Sequence, residues 1–433
     1  MQNLENLKRE IGVQGLAAGV INFIVGAGIF ALPALVVIIL GNSSILAYFI
    51  CGLLILMIML CFAEIGSQVT VSGGPYAYIQ AAFGPYIGFL ANILFWFGYC
   101  VLADAAIANA MADMLALKFS PLLQWEYRAI FFFLVFGLFT WINITGVKHG
   151  VRLVKMLTLV KLVPLILLVV IGVFWVEPQN LIFDTWPSAT NLGQACILLF
   201  FAFGGGEGAL STSGEIKNPD RTIPRGLILG VGSVILLYVS IQLISQGVIG
   251  AELINYKEAP LAEVARRLIG GSGANLLVLA AAVSIFGTLS GSIMQYPRIL
   301  YAGGRDGSAP AILSKIHPKY ATPVRAIITY AIFDFVFSIS GGFEKLAVIS
   351  SAALLLIYLG VVLATIKFRI QKEQNNDQGF RIPGGLAIPI LSMTVIIWFL
   401  IQLPGNELIG VLIFFALLSV VYLIINLIKK ASG

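Results

Sequence analysis

Residues 19–40 read GVINFIVGAGIFALPALVVIIL, an apolar stretch long enough to cross a bilayer that small residues interrupt near its middle. Residues 195–219 read ACILLFFAFGGGEGALSTSGEIKNP and are interrupted in the same way. Glycine weakens a helix because it loses more backbone entropy on folding than other residues. Main-chain groups freed at membrane depth find no water, so they need a partner in the protein or a bound ligand. We therefore predict two broken membrane helices, interrupted at Gly26, Ala27 and Gly28 and at Gly204, Gly205 and Gly206.

The composition is that of an integral membrane protein. Of the 433 residues, 59% are hydrophobic and 11% are charged, whereas soluble proteins carry about 25% charged residues. Apolar runs longer than about 18 residues recur, which is typical of membrane-spanning helices. The polar start, MQNLENLKRE, leads into a full-length span, so we expect no cleavable signal peptide. The four cysteines lie in apolar segments without a CxxC pattern, and no metal or other cofactor is expected.

The hydrophobic pattern predicts an all-α membrane protein of about twelve spans, forming one transmembrane domain over residues 1–433. The first five spans and the next five each begin with a broken helix, and the two sets would cross the membrane in opposite directions. This pattern indicates inverted repeats, over about residues 11–175 and 190–367, followed by two extra helices over about 384–428. The predicted spans cover about residues 11–40, 45–69, 86–117, 129–147, 153–175, 190–214, 226–249, 274–302, 324–340, 345–367, 384–403 and 407–428.

The distribution of positive charge predicts the orientation. Most of the 26 Lys and Arg residues fall in the connections on one side of the predicted spans. The positive-inside rule assigns that side to the cytoplasm and places both termini there, in a cell membrane. The net charge of +6 belongs to this asymmetry, so nucleic-acid binding is not expected.

Four motifs, in order along the chain, resemble those of the amino acid–polyamine–organocation superfamily of transporters. They are VGAGIF (25–30), SGGPYAYIQAAFGPYIGF (72–89), LVKLVPL (159–165) and FFAFGGGEGALSTSGEIKNPDRTIPRG (200–226). The resemblance covers essentially the whole chain. It implies a five-plus-five inverted-repeat fold with broken helices 1 and 6, and a substrate bound between those two helices.

The two breaks suit an α-amino acid. The half-helix that starts near Ile29 has free amides and about half a positive charge at its end, which favours a carboxylate. Carbonyl groups near Phe23, Ile24, Phe201 and Ala202 suit the α-ammonium group. The alternative is that the glycines only allow close helix packing. The predicted substrate-binding residues are Ile24, Gly26, Ala27, Gly28, Phe201, Ala202, Phe203 and Gly204, together with Asp104.

Two aromatic residues precede the second break. In the superfamily, an aromatic residue six positions before the glutamate of helix 6 covers the substrate, and that spacing selects Phe201, because the glutamate is Glu207. Packing in the core or against lipid is the alternative for both Phe201 and Phe203.

Lys161 and Glu207 are predicted to couple transport to H⁺. Ionisable residues inside a membrane are costly and usually functional. Lys161 lies in a span without a nearby acid in the sequence, and dehydration disfavours an ammonium group. In several superfamily members a lysine in this LVKL context occupies the place of a sodium ion. Lys161 is alternatively a residue that snorkels to the interface or fixes helix 1 to helix 5. Glu207 would tie the broken helix to its surroundings or carry a proton.

Asp104 lies in the third predicted span, FGYCVLADAAIANAMADML. An acid that faces the substrate would favour a cationic side chain, such as that of lysine, arginine, ornithine or a polyamine. Pairing with Lys161, or a bond to a neighbouring helix, is the alternative.

Together, these features predict a secondary active transporter that imports an amino acid by alternating access, coupled to H⁺. The alternative is an exchanger of amino acids or polyamines that prefers cationic substrates. Neither histidine lies in a predicted span and no HExxH motif is present, so an enzyme is not expected. A channel fits paired inverted breaks less well, and a receptor role stays open. The substrate and the oligomeric state are not predicted.

Overall fold

The computed structural model describes residues 11–68, 74–145, 150–183, 185–307, 309–320, 322–372 and 380–431. Within these ranges the chain is helical throughout, apart from turns, short connections and an isolated bridge between Ile11 and Ile216. The α-helices are α1 (Val13–Ile24), α2 (Gly28–Leu40), α3 (Ser44–Gln68), α4 (Pro75–Phe83), α5 (Pro85–Ile93), α6 (Leu102–Ala116), α7 (Trp125–Thr145), α8 (Gly150–Gly172), α9 (Ala189–Phe203), α10 (Pro219–Ile249), α11 (Pro260–Gln295), α12 (Pro297–Asp306), α13 (Val324–Ser340), α14 (Phe343–Lys372), α15 (Ala387–Ile401) and α16 (Gly405–Ala431).

The two predicted breaks are present, and both helices divide at the glycines. The first predicted span consists of α1 and α2, with residues 25–27 between them outside any helix. The sixth consists of α9 followed by a 3₁₀ helix, Gly206–Glu215. A 3₁₀ run of ten residues is long, because such helices rarely exceed about four residues. Its length marks helix 6 as unusual on the side of the break that follows Gly205.

Membrane-spanning segments account for most of the described chain. Eight helical segments are long and apolar enough to cross a bilayer, and three shorter apolar helices accompany them. One of the eight, Gly28–Ser67, contains both α2 and α3. These two helices are separate because Gly41 has a φ of +54°, which a continuous helix does not allow. The all-helical membrane fold with broken helices 1 and 6 is confirmed.

Two further irregularities lie in long helices. The third predicted span contains a π-helical segment, Leu94–Val101, between α5 and α6. α11 bends at Ile269 and Gly270, where the backbone leaves the helical region. The part of α11 before the bend, Pro260–Leu268, agrees with the short amphipathic helix that the sequence LAEVARRLIG suggests.

Packing places the broken helices at the centre. α1 lies against α10, α2 lies against α9, and α3 packs on both α9 and α10. A second group, with α6, α7, α11 and α13, packs on another side, and α14 contacts both α6 and α9. α16 is peripheral, since most of its apolar side chains are exposed, as expected of a helix that faces lipid.

Candidate functional site

The break in helix 1 lies directly against helix 6. α2 begins at Gly28, and a Cβ atom at that position would lie 2.8 Å from both the Cα and the Cβ of Ala202. A glycine is therefore required for the two helices to approach this closely. Gly26 differs, because the nearest atoms to a Cβ there would be those of the Thr288 side chain, at 3.7 Å, an ordinary contact distance. Of the two glycines, Gly28 serves close packing between the broken helices.

The break in helix 6 is held in a conformation that glycine favours. Gly204 is extended and Gly205 has a φ of +103°, in the region that other residues avoid. A Cβ at Gly205 would lie 2.8 Å from the carbonyl oxygen of Phe23, and one at Gly204 would lie 2.8 Å from the Tyr99 hydroxyl. The unwound segment of helix 6 therefore fits against helix 1 on one side and the π-helical segment of helix 3 on the other.

Tyr238 of α10 connects the two breaks. Its hydroxyl lies 3.0 Å from the carbonyl oxygen of Ile24 and 3.1 Å from that of Ala202, and it donates to both. Both carbonyl groups were predicted to contact a substrate ammonium group. Each oxygen has a second lone pair, so the contact with Tyr238 leaves each of them able to accept one further hydrogen bond.

Lys161 of α8 reaches the break in helix 1. Its Nζ donates to the carbonyl oxygen of Asn22 at 2.6 Å and to that of Val25 at 2.8 Å. The side chain is buried. Lys161 thus connects helix 5 to the end of α1, where intrahelical donors are missing, through these two main-chain oxygens.

Glu207 follows the glycines of helix 6 and is fully enclosed. Its Oε2 accepts from the Tyr358 hydroxyl of α14 at 2.5 Å and from the main-chain N–H of Gly205 at 3.2 Å. The carboxyl group therefore fixes the unwound segment to α14. This is the first of the two roles expected for it from the sequence.

A vestibule of about 860 Å³ leads towards the two breaks from the side with fewer Lys and Arg residues, which we name the outer face. α2 and α9 present residues spaced by one helical turn along its walls. The next turn inward on α2 carries Gly28, and the next on α9 carries Phe201. The substrate-binding region predicted from the sequence thus lies one helical turn beyond the vestibule walls. The wall residues are Ala31, Leu35 and Ile39 on α2 and Gln194, Ile197 and Leu198 on α9.

The two aromatic residues before the second break point in different directions. Phe201 meets Phe343 of α14 edge to face, with ring centroids 5.6 Å apart, and Phe343 lines the vestibule. Phe203 is fully buried and packs on Tyr238. Phe201 is therefore the one of the two that contacts a residue of the vestibule wall.

Asp104 lies on a different side of helix 3. Its Oδ2 accepts from the Tyr330 hydroxyl of α13 at 2.9 Å, and the carboxyl group is 99% buried. On α6 and the residue after it, the vestibule is lined by Ala110, Asp113, Ala116 and Leu117, and at about 100° per residue Asp104 lies on roughly the opposite face of the helix. The structure therefore places Asp104 in a hydrogen bond to a neighbouring helix and outside the lining of the vestibule.

The sequence reasoning missed four aromatic residues: Tyr99, Tyr238, Phe343 and Tyr358. The three tyrosines are buried within spans, and two of them donate hydrogen bonds at the breaks. A tyrosine hydroxyl in the middle of an apolar segment needs a partner, which is a signal that the sequence does contain. Phe343 carries no such signal, since it starts a helix like many other apolar residues.

The sequence profile of one protein family, described as amino acid permease, matches residues 11–430, which is nearly the whole chain. The chain belongs to the amino acid permease family. Permeases of this family are transporters and not enzymes. The motif resemblance to the superfamily is thereby confirmed. Within the described residues, no group of three or more His, Cys, Asp or Glu side chains could hold a metal ion.

Three curated relatives show the breadth of this permease's similarities. The serine/threonine exchanger SteT of Bacillus subtilis is 28% identical, with 89% of each chain covered. The methylthioribose transporter of the same organism is 25% identical, covering 96% of this chain and 93% of the relative. The branched-chain amino acid permease BcaP, also from Bacillus subtilis, is 24% identical with the same coverage. The permease is therefore similar over its full length to membrane transporters that differ in substrate.

Proposed function

We propose that the protein is a secondary active transporter of the cell membrane that imports an amino acid by alternating access, driven by H⁺. Residues 1–433 form one transmembrane domain, with both termini in the cytoplasm. Family membership supports the transport of an amino acid. The direction of the vestibule supports entry from the outer face.

The substrate's α-amino and carboxyl groups bind at the two breaks. The carboxylate lies at the start of α2, where the first amides of the helix lack intrahelical acceptors. The ammonium group lies near the carbonyl oxygens of Ile24 and Ala202, which Tyr238 already positions. The remaining predicted residues, Gly26, Ala27, Gly204 and Phe203, shape the main chain around the ligand. Phe201, with Phe343, separates this space from the vestibule.

The contact of Lys161 with the first break carries the proposal of H⁺ coupling. Its ammonium group holds the oxygens of Asn22 and Val25. Loss of a proton from this group removes a charge-assisted donor from the end of α1, and such bonds contribute about 1.5–3 kcal/mol each. Proton loss therefore weakens the connection between helix 5 and helix 1. Glu207 acts beside it by keeping the second break attached to α14 through Tyr358.

A second candidate is an exchanger that prefers cationic amino acids or polyamines. Acidic side chains outnumber lysines on the vestibule walls: Asp113, Glu258, Glu344 and Glu407 face Lys257 and Lys345. Vestibule walls with a net negative charge attract positively charged substrates. The name of SteT, an exchanger, adds support for the exchange mode.

Uptake into proteoliposomes tests both candidates. The purified protein is reconstituted and given a panel of radiolabelled neutral, cationic and anionic amino acids and a polyamine. The import proposal requires accumulation in empty vesicles when the outside is made acidic. If uptake occurs only into vesicles preloaded with substrate, whatever the pH gradient, the exchanger replaces it. If no member of the panel is transported in either format, both candidates are wrong.

A further inference from the structure

A second group of buried acids lies outside the proposed transport site. Asp334 of α13 is fully buried, and neither of its carboxylate oxygens has a hydrogen-bond partner among the described residues. Tyr330 lies one turn before it on the same helix, and the Tyr330 hydroxyl donates to Asp104 of α6. Residues four apart share one face of a helix. Asp334 and Asp104 therefore lie at the same contact between α13 and α6, within electrostatic reach of one another.

The surroundings supply no positive charge to these two carboxyl groups. The titratable side chains that interact with them are Tyr99 and Cys100 of the π-helical segment and Tyr296 at the end of α11, in addition to Tyr330. Ser292 of α11 is the other polar neighbour of Asp104. All of these groups are neutral. Two buried carboxylates without a cation repel each other and lack hydration, so the site requires a positively charged ligand.

A separate cavity at the outer face reaches the turn of α13 that follows Asp334. It measures about 370 Å³ and adjoins the vestibule, with Asp113 and Gly342 in both linings. Ser338 lines this side cavity, lies one turn after Asp334 on α13, is 98% buried, and has a hydroxyl group without a partner among the described residues. The hydroxyl is thus placed between the side cavity and the Asp334 carboxyl group.

The entrance to the side cavity selects against metal cations. Arg128 of α7 lines it and is held there by Asp113 at 2.6 Å and by the side chain of Asn109 at 2.7 Å. A guanidinium group repels a hydrated cation such as Na⁺, whereas a proton can pass along water and a serine hydroxyl. In addition, Tyr330 donates its proton to Asp104 and is not oriented as a metal ligand.

We propose that Asp334, beside the bonded pair of Asp104 and Tyr330, is a proton-binding site whose carboxyl group exchanges its proton with the outer face through Ser338 and the side cavity. The proton comes from water in the cavity and returns to it, and no other bond is made or broken. This site is additional to Lys161 and Glu207. The site lies where α13 packs on α6, so the presence or absence of the proton sets how firmly these two helices are held together.

Infrared spectroscopy of the purified protein tests the site without any substrate, so the result is independent of whether the proposed transport function is correct. A protonated carboxyl group absorbs separately from a carboxylate. The wild type is expected to show such a signal near neutral pH, and the double variant Asp104→Asn/Asp334→Asn should lose the part that corresponds to one group. Glu407→Gln, which removes a vestibule acid, should keep it. An unchanged signal in the double variant overturns the proposal.

Single variants cover the case in which the double variant does not fold. Asp334→Asn leaves the Asp104–Tyr330 bond in place and should remove the signal of the protonated carboxyl group, while a retained signal of unchanged size contradicts the proposal. Replacing choline chloride with sodium chloride should change nothing, and loss of the signal in sodium would show a metal site instead. Ser338→Ala should slow the shift of the band in D₂O several-fold, whereas Ser340→Ala, in the same cavity lining, should not. Equal exchange rates in these two variants would disprove the route.

Discussion

Gly28 of the first broken helix and Ala202 of the second are in direct contact, so that a Cβ atom on Gly28 would lie 2.8 Å from the Ala202 Cα. Backbone lies on both sides of this contact, and a clash with backbone cannot be relieved by rotating a side chain. The close contact between the two breaks is therefore possible only because residue 28 has no side chain.

The first prediction concerns this contact. Gly28→Ala should lower the thermal unfolding midpoint in detergent and weaken substrate binding, because overpacking costs about 1–3 kcal/mol. Gly28→Val should abolish binding. Gly26→Ala is the matched control for the unfolding midpoint, because its Cβ would be 3.7 Å from Thr288, an ordinary contact. An equal loss of the midpoint in Gly26→Ala and Gly28→Ala would contradict the structure at this point.

The second prediction concerns Lys161. Lys161→Ala should still insert into the membrane, because removing a lysine lowers the insertion cost by about 2.5–3.5 kcal/mol. It should lose accumulation driven by an acidic exterior while retaining exchange. The reason is that the variant lacks the ammonium group that donates to Asn22 and Val25 and whose protonation responds to pH. Uptake and exchange in the same proteoliposomes measure the two activities. A variant that still concentrates substrate with the wild-type pH dependence would shift proton coupling to Glu207.

The third prediction concerns Tyr238. Tyr238→Phe removes the donor shared by the oxygens of Ile24 and Ala202 and leaves both buried without it. We expect a loss of about 1–3 kcal/mol in stability, and altered apparent affinity for substrate. The control is Tyr48→Phe, whose buried hydroxyl has no partner among the described residues. It should be neutral or stabilising, and a similar loss in both variants would argue against the bridge.

The fourth prediction concerns the ion pair of Glu64 and Arg369, which connects α3 to α14 near the inner face. Arg369 Nε lies 2.8 Å from Glu64 Oε1, and both side chains are about 95% buried. Glu64→Gln should destabilise the protein by about 3–5 kcal/mol, because it leaves a buried guanidinium without its partner. Glu252→Gln breaks an exposed pair with Arg267 and should cost about 1 kcal/mol or less. Thermal unfolding of the two variants side by side decides this.

The fifth prediction revises the role of Asp104. Since it bonds Tyr330 and is rotated away from the vestibule, Asp104→Asn should affect lysine and alanine uptake to the same degree. A selective loss of lysine uptake, of roughly tenfold or more, would instead restore it to substrate recognition.

The sequence alone predicted the helices well, because hydrophobic length is a strong signal in a membrane protein. The span predicted over residues 324–340 is α13, Val324–Ser340, and both breaks fall on the predicted glycines. Lys161 was identified because charge inside an apolar segment is conspicuous, although its partners, two main-chain oxygens, were not predictable. Ser72 and Gly73 of the second motif lie outside the described residues.

Contacts between helices were the part that the sequence could not predict. The direction of Asp104 depends on the rotation of helix 3, and the π-helical segment before it changes that rotation by inserting an extra residue into the turn. The role of Tyr238 depends on a hydroxyl placed between carbonyl groups from two distant segments. Neither feature is marked in the sequence by a hydrophobic periodicity or by a motif.

The 3₁₀ helix of Gly206–Glu215 has a mechanical consequence. A 3₁₀ helix rises about 2.0 Å per residue and an α-helix about 1.5 Å, so the ten residues would become about 5 Å shorter if they rewound into an α-helix. That is close to one full α-helical turn. The inner half of helix 6 therefore contains a reserve of length, and winding it in would pull Ile216, which is paired with Ile11 before helix 1, towards the centre of the membrane.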